Sequence, residues 1–149
     1  MITNVLKNNK KIFLDTVVFI YHFENNPKYI DLTSSIFSRI EQGLNSGLTS
    51  QITLAEILIK PHKLNEHDKA QDYQIIFQEF PNLLAADIDH DCAKIAALLS
   101  AKYNLELPDA LQIGSAISNN ASIFITNDLK LKRVNEIEIV ALDDFFKSD

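Results

Sequence analysis

The feature that most constrains this chain is a short apolar run near its start that stops abruptly on a carboxylate. Residues 11–16 read Lys-Ile-Phe-Leu-Asp-Thr, so three consecutive apolar side chains are followed directly by Asp15. A run of this kind, without the alternation of a half-buried strand, indicates a strand that is buried on both faces, as in a parallel sheet. Asp15 then stands at the carboxyl end of that strand, where open α/β sheets bind their ligands.

The rest of the chain alternates between short apolar runs and segments in which apolar residues recur with helical spacing. We predict four further strands, at residues 48–50, 83–86, 123–125 and 137–142. Helices are predicted at residues 17–23, 32–44, 52–60, 65–80, 92–103 and 108–119. The second helix has Gly43 and Gly47 as stop signals, and the third is expected to end before Pro61. Because strands that alternate with helices form right-handed crossovers, the predicted fold class is α/β, with three α/β/α layers around a five-stranded parallel sheet.

Composition bounds the class of protein. A chain of 149 residues with 46% hydrophobic and 23% charged residues is typical of one globular domain, and we assign residues 1–149 to a single domain. No apolar run approaches the roughly 20 residues that span a bilayer, and the start of the sequence lacks the order of a secretory signal. We therefore expect a cytoplasmic protein without membrane contact.

Two further properties narrow the chemistry. The net charge of −6 argues against a protein that holds nucleic acid by bulk positive charge, so a nucleic-acid substrate must be held locally. The single cysteine, Cys92, excludes an internal disulfide, and its place in an apolar helical pattern fits a small core residue better than a nucleophile.

Four acidic residues from separate stretches are predicted to meet at the carboxyl edge of the sheet. Asp15 and Asp128 each follow a predicted strand, and the two strands are neighbours if the first strand is central. Asp109 lies in the first turn of one helix and Glu56 early in another, and such helices begin at the same edge. Two carboxylates about 4 Å apart repel by roughly 4 kcal/mol at an effective dielectric of about 20. A divalent cation that prefers oxygen ligands relieves this repulsion and suits phosphodiester hydrolysis.

Each acid alone also has an ordinary structural explanation. Asp15 fits a turn after a strand, Asp109 fits the positive end of a helix dipole, and Asp128 fits a turn or a helix cap. Thr53 and Glu56 match a capping box, in which two side chains close the start of a helix. The joint occurrence of the four acids, rather than any one of them, favours a site.

Basic residues near helix ends are candidates for holding RNA phosphates beside this edge, although lysines in such places are most often simply solvated. They are Lys60, Lys63, Lys130, Lys132 and Arg133. The histidines show no spacing typical of a zinc site.

The order and spacing of the motifs resemble the PIN-domain family, in particular the VapC-type toxin ribonucleases of bacterial toxin–antitoxin pairs. The resemblance covers nearly the whole chain. The matching motifs are Leu14-Asp15-Thr16 after the first strand, Thr53-Leu54-Ala55-Glu56 on a helix, Leu107-Pro108-Asp109-Ala110 at a helix start, and Thr126-Asn127-Asp128 after the fourth strand. One departure is Val17, which stands where similar proteins often carry a small polar residue.

The resemblance implies a sheet of order 3-2-1-4-5 and RNA cleavage that depends on Mg²⁺ or Mn²⁺. The catalytic set that it implies is Asp15, Glu56, Asp109 and Asp128. Of these, the implied metal ligands are Asp15, Asp109 and Asp128, whereas Glu56 orients the attacking water or accepts its proton. Hydrogen bonds from Thr16 and Thr126 are expected to support the carboxylates.

The resemblance also implies two partners, an RNA substrate and a small antitoxin protein, and we expect a homodimer. The antitoxin is expected to cover the active-site edge and the helix after Asp15. Three aromatic residues of that helix are candidates for its contacts, namely Phe19, Tyr21 and Phe23.

Competing functions are weaker but instructive. A receiver domain needs an acidic pair after the first strand and a lysine directly after the fifth, and the sequence has neither. A phosphatase of the Asp-x-Asp type needs a second acid at the position of Val17. Three glycines in the whole chain leave no phosphate-binding glycine loop. The serious alternative is a non-catalytic module that keeps the fold and binds a protein.

Overall fold

The computed structural model of the protein describes residues 2–146. Within this range five parallel strands form one sheet, and their order, β3-β2-β1-β4-β5, is the predicted one. The strands are β1 (Lys11–Leu14), β2 (Ser46–Ser50), β3 (Leu83–Ala86), β4 (Ile123–Thr126) and β5 (Glu138–Ala141). Because β1 is central, the order of the strands reverses between β1 and β4, and this is where such sheets bind ligands.

Helices cover both faces of the sheet. The α-helices of the described range are α1 (Ile2–Val5), α2 (Thr16–Phe23), α3 (Ile30–Glu41), α4 (Gln51–Lys63), α5 (His67–Glu79), α6 (His90–Tyr103) and α7 (Leu107–Ser118). Two short 3₁₀-helices follow the last strands, η1 (Leu129–Arg133) and η2 (Leu142–Phe146). We did not predict α1, η1 or η2, because a single turn is too short to show an apolar repeat. No helix in the described part of the chain is long and apolar enough to cross a membrane.

The central strand is buried on both faces, as the opening run of the sequence predicted. Ile12 and Leu14 belong to a core shared with α2 and α3, whereas Phe13 points into a second core shared with α6 and α7. There Phe13 stacks on Phe124 of β4 with ring centroids 5.1 Å apart. The three residues of β1 that follow Lys11 are thus buried against helices on both faces of the sheet. This confirms the predicted α/β/α arrangement of three layers. Cys92 is buried in the second layer of helices, as predicted for a small packing residue.

Two details of the prediction are wrong. The helix expected to end before Pro61 is α4, which continues to Lys63. Pro61 removes one helical hydrogen bond, but its ring is buried, and this packing offsets the loss near the end of the helix. Gly47 is not a stop signal, because it lies inside β2, where a Cβ would stand 2.9 Å from side-chain atoms of Ile40 and Leu83. Gly43 does follow the end of α3, with a positive φ of 77°.

Candidate active site

Asp15 is the first residue after β1 and is almost completely buried, with 9% of its surface exposed. Its Oδ2 accepts a hydrogen bond of 2.7 Å from the Thr126 hydroxyl, and its Oδ1 accepts one of 2.8 Å from the Thr16 amide. Burial raises the pKa of Asp15 above its ordinary value, and the nearby charge of Glu56 acts in the same direction. Hydrogen bonds from Thr126, Thr16 and Gln112 oppose this rise in pKa and favour the carboxylate. The expected support from the two threonines is confirmed.

Asp109 lies in the first turn of α7, as predicted, and is half-buried. Its pKa is raised to about 6, first by burial and then by the negative charges of Asp15 and Asp128, with smaller effects of Glu106 and Glu56. Charges act in this way only when they lie near one another, so the fold does bring the four predicted acids into one electrostatic neighbourhood. Glu106 is a fifth acid that we did not predict, although it stands three residues before Asp109 in the sequence.

Glu56 is exposed on α4 and faces the end of β1. Its Oε1 accepts a hydrogen bond of 2.7 Å from the Thr16 hydroxyl. The capping-box alternative is wrong, because α4 begins one turn earlier, where the Ser50 hydroxyl caps the helix by accepting from the Ile52 amide. Thr53 is buried inside the helix and binds Thr16 instead of capping, at 3.1 Å between the two hydroxyl oxygens.

Asp128 is held in the loop between β4 and η1. Its amide donates to the Thr126 hydroxyl at 3.1 Å, and its Oδ1 accepts from the Lys130 amide, so Asp128 is a helix cap as well as a member of the acidic group. The preceding Asn127 donates to the Tyr29 hydroxyl and accepts from the Asp143 amide. The structural alternative for Asp128 is therefore correct, but it does not exclude the predicted role, because a carboxylate has a second oxygen.

Sequence reasoning missed one residue at the centre of this group. Gln112 of α7 is 1% exposed and makes hydrogen bonds to several residues around Asp15. A signal was present, because Gln112 is a polar residue in an apolar stretch and stands three positions after Asp109, on the same face of the helix. Ser50, whose hydroxyl donates to Gln112 Oε1, was also missed.

The donors at this edge suit a hard divalent cation. The groups that raise the pKa of Asp109 are all carboxylates, and oxygen atoms are the ligands that Mg²⁺ and Mn²⁺ prefer. Between residues 2 and 146, no three His, Cys, Asp or Glu side chains form a ready-made metal cluster. Mg²⁺ is commonly held by only one or two carboxylates, with water and substrate phosphate completing its shell, so the residues present fit such an ion.

The basic residues proposed to hold RNA differ in whether an acidic side chain already pairs with them. Lys60 pairs with Glu24 at 2.6 Å and Lys132 pairs with Asp144, so both are engaged by acids. Lys130 follows Asp128 by two residues and is exposed, which leaves it beside the acidic group.

A groove opens beside Glu56, between α2, α4 and α5. Its volume is about 490 Å³, and its apolar wall includes Ile20, Phe23, Leu64 and Tyr73. Phe23 and Tyr73 stack with ring centroids 4.6 Å apart. The prediction that Phe19 contacts a partner is wrong, because Phe19 is 1% exposed.

Comparisons with known proteins agree with this fold. The sequence profile of the PIN domain matches residues 12–137. Among solved structures, a chain of VapBC2 from Rickettsia felis, solved bound to a DNA fragment from its promoter, has a TM-score of 0.72 at 22% identity, covering 88% of this chain and 98% of that one. A chain of a toxin–antitoxin complex from Klebsiella pneumoniae has a TM-score of 0.67 at 18% identity, covering 88% and 97%.

A third similar structure is VapC20 from Mycobacterium tuberculosis, described as a toxin that cleaves the sarcin–ricin loop. Its TM-score is 0.65 at 13% identity, and the similarity covers 85% of this chain and 98% of that one. No curated protein sequence matches the chain.

Proposed function

Because the chain belongs to the PIN-domain family, we propose that it is a metal-dependent endoribonuclease and the toxin of a toxin–antitoxin pair. The observation that carries this proposal is the convergence of acids from separate elements. Thr16 binds both Asp15 and Glu56, and Thr126 binds both Asp15 and Asp128. In agreement with this geometry, burial and then the negative charges of these acids raise the pKa of Asp109. Such a gathering opposes folding in the absence of a cation, so a binding function accounts for it better than a structural one does.

Asp15 and Asp109 are the proposed direct metal ligands, and Asp128 binds directly or through water. When bound, Mg²⁺ or Mn²⁺ lowers the pKa of a water molecule and neutralises charge on the phosphate and the leaving oxygen. Thr126 and Thr16 hold Asp15 in one orientation through its two oxygens. This fixes the ligand before the substrate arrives.

Glu56 is the proposed acceptor of the proton from the attacking water. The Thr16 hydroxyl occupies Oε1 of Glu56, and among residues 2–146 no other group binds Oε2. A carboxylate held by one oxygen can orient water with the other. Lys130 is exposed and its amide binds Asp128, and it is the proposed contact for a phosphate of the RNA, where it would supply local positive charge.

The groove beside Glu56 is the proposed seat of an antitoxin segment. Of its charged residues, Lys60 pairs with Glu24 and Lys69 pairs with Glu66, so Glu56 is the one acid of the groove outside these pairs. An apolar segment with one basic side chain complements such a wall.

A capture experiment tests this site. With the candidate antitoxin, the product of the neighbouring gene, as bait, Leu64→Asp should weaken capture, whereas Leu98→Asp on α6 should not. Equal capture of both variants contradicts the proposal that the antitoxin binds in this groove.

Cleavage of RNA by the purified protein tests the enzyme directly. We expect cleavage with Mg²⁺, none with EDTA, and none with Asp15→Ala. Asp109→Asn should also be inactive, and its matched control is Asp91→Asn, which removes an acid from the first turn of α6 that is not among the charges raising the pKa of Asp109.

Thermal unfolding separates the enzyme from a non-catalytic module of the same fold. Mn²⁺ at about 100 times its Kd should stabilise the wild-type protein by about 2.7 kcal/mol. The increase should vanish in Asp109→Asn and persist in Asp91→Asn. If Mn²⁺ does not change the Tm of the wild-type protein, the assignment as a nuclease is contradicted and the non-catalytic module is favoured.

A further inference from the structure

Gln112 is a buried polar side chain at the acidic edge that has no place in the chemistry described above. It is 1% exposed and its neighbours on α7, Ala110 and Ile113, are fully buried in the second core. A buried amide without partners destabilises a fold, so an apolar residue is the expected occupant of this position. The groups that Gln112 binds therefore indicate why an amide stands there.

The amide has one acceptor and two donor hydrogens, and the structure uses both kinds. Its Oε1 accepts from the Ser50 hydroxyl. Its Nε2 lies 2.8 Å from Thr53 Oγ1, 3.2 Å from Thr16 Oγ1 and 3.4 Å from Asp15 Oδ1. Because an ionised carboxylate only accepts hydrogen bonds, the NH₂ group rather than the oxygen must face Asp15. Asp15 thus dictates which way the amide points.

The hydroxyl of Thr16 gives this arrangement a direction. A hydroxyl has one proton, and Thr16 donates its proton to Glu56 Oε1 at 2.7 Å. Its lone pairs are then left to accept from Gln112 and Thr53. Hydrogen bonds therefore run from Gln112 through Thr16 to Glu56, and from Gln112 directly to Asp15. One amide orients both carboxylates.

Gln112 also connects these two acids to a third. It stands three residues after Asp109 on α7, so both side chains lie on one face of the same helix. Its bonds reach the residue that follows β1, the cap of α4 and the interior of α4, which are the elements that position Asp15 and Glu56. A shift of α7 therefore changes the position of Asp109 and the hydrogen bonds of the other two acids together.

We propose that Gln112 is a positioning residue that fixes Asp15 and Glu56 relative to Asp109. This role rests on the ribonuclease function proposed above. It predicts that loss of the amide lowers turnover without weakening RNA binding, because Gln112 is buried and does not reach the substrate itself.

Two replacements with similar shape test the role. Gln112→Met removes every hydrogen bond, and Gln112→Glu keeps an acceptor for Ser50 while it loses the NH₂ group that faces Asp15. We expect both to lower kcat about 10- to 100-fold, as the loss of outer-shell partners of metal ligands commonly does. The KM for RNA should stay within about twofold of wild type. Assays well below the Tm of each variant, with circular dichroism as a check of the fold, exclude simple unfolding.

The control is Ser115→Ala. Ser115 is a fully buried polar residue on the same helix, but its hydroxyl has no hydrogen-bond partner among the described residues. Removing it should leave kcat, KM and the Mn²⁺-induced rise in Tm unchanged. The same loss of kcat in Ser115→Ala would show that any change in buried polarity on α7 impairs the protein, and would overturn the special role of Gln112.

A readout without metal or substrate completes the test. In the apoprotein, the side-chain amide protons of Gln112 should exchange slowly with solvent by NMR, and Thr16→Val should shift their resonances. Fast exchange overturns the hydrogen-bonded arrangement. Wild-type kcat and Mn²⁺ response in folded Gln112→Met overturn this role and leave the ribonuclease function intact. A wild-type protein that neither cleaves RNA nor responds to Mn²⁺ removes that function and, with it, the role of Gln112.

Discussion

Two buried polar networks lie at opposite edges of the sheet, and they treat charge differently. At the amino edge, Arg39 is 9% exposed and donates to Asn45 Oδ1 at 2.8 Å, to the Leu6 carbonyl at 2.6 Å and to Asn8 Oδ1 at 2.7 Å. The amide of Asn45 donates in turn to backbone carbonyls of residues 7 and 10. A single positive charge is thus distributed over neutral acceptors, and the network fastens residues 6–10 to the turn before β2.

At the carboxyl edge, by contrast, several negative charges share one place. Asp15 has good hydrogen bonds, yet its pKa is raised, and the pKa of Asp109 is raised to about 6. No lysine or arginine of the described range forms a salt bridge with Asp15, Glu56, Asp109 or Asp128. Burial of polar groups alone therefore does not indicate function. Uncompensated charge of one sign does, because folding does not require it.

The largest difference between the two edges should appear in cleavage. Asp15→Ala is expected to lower kcat/KM for RNA more than about 100-fold, since loss of an outer-shell partner alone commonly costs 10- to 100-fold. Arg39→Met should leave kcat/KM per folded molecule near wild type. Activity that depends equally on both residues would contradict the division of roles between the edges.

The reverse difference should appear in stability. Arg39→Met leaves the Leu6 carbonyl and the Asn45 side chain without their donor, so we expect a loss of about 3 kcal/mol in the free energy of unfolding. For a chain of this size, that lowers the Tm by roughly 6–12 °C. The matched control is Arg133→Met, an exposed arginine with one long hydrogen bond, which should change the Tm by about 1 °C. Denaturant unfolding of both variants provides the check.

A smaller effect comes from pH. The folded pKa of Asp109, about 6, lies above its ordinary value of 3.8, so the folded state binds the proton more tightly than the unfolded state does. Stability from this group is therefore present below pH 4, declines between about pH 4 and 6, and stays lost above that range. Without metal, Asp109→Asn should match the wild type in free energy of unfolding at pH 4 and exceed it at pH 7 by about 1 kcal/mol, after allowance for solvent screening.

That pH dependence can be checked by a series of melting curves with EDTA. Saturating Mn²⁺ should reverse the order of the two proteins at pH 7, because only the wild type gains stability from the ion. A constant difference between the two Tm values from pH 4 to 7 would show that Asp109 does not titrate in a crowded acidic site.

The smallest expected effect concerns Lys130. Its side chain is exposed and forms no salt bridge with an acid of residues 2–146, and it is the cation nearest to Asp128 in sequence. A solvent-exposed charge contact is worth about 0.2–1 kcal/mol. Lys130→Gln should therefore raise KM for RNA about two- to threefold without changing kcat, and high salt should erase the difference. Lys94→Gln, at an exposed position of α6, is the control. A salt-independent change in KM would mean that Lys130 acts through the loop and not through charge.

Much of the fold was accessible from the sequence because its strands are buried runs with clear ends. Ile12 to Leu14 are buried on both faces and Asp15 follows at once, so the strand and the first acid could both be predicted. Parallel strands place their carboxyl ends at one edge, which allowed the convergence of Asp15 with Asp128 to be predicted as well.

What sequence reasoning missed depends on distant partners. The bonds of Gln112 reach Thr53 across 59 positions and Asp15 across 97, and no local pattern encodes such contacts. Phe19 failed as a partner contact for the same reason. It was a candidate as an aromatic residue of the helix after Asp15, but Phe37 and Phe77 from other helices cover it at centroid distances of 5.3 and 5.8 Å.

The hydrogen bond from Thr126 to Asp15 joins residues 111 positions apart. During synthesis, Asp15 and Glu56 therefore leave the ribosome long before the strand that completes their surroundings has been made. Until β4 pairs with β1, Asp15 lacks the donor at Oδ2, and neither Asp109 nor Asp128 stands beside it. A nascent chain thus carries the separate acids of the proposed site before it can assemble them, and any activity that needs all of them must wait until that strand is in place.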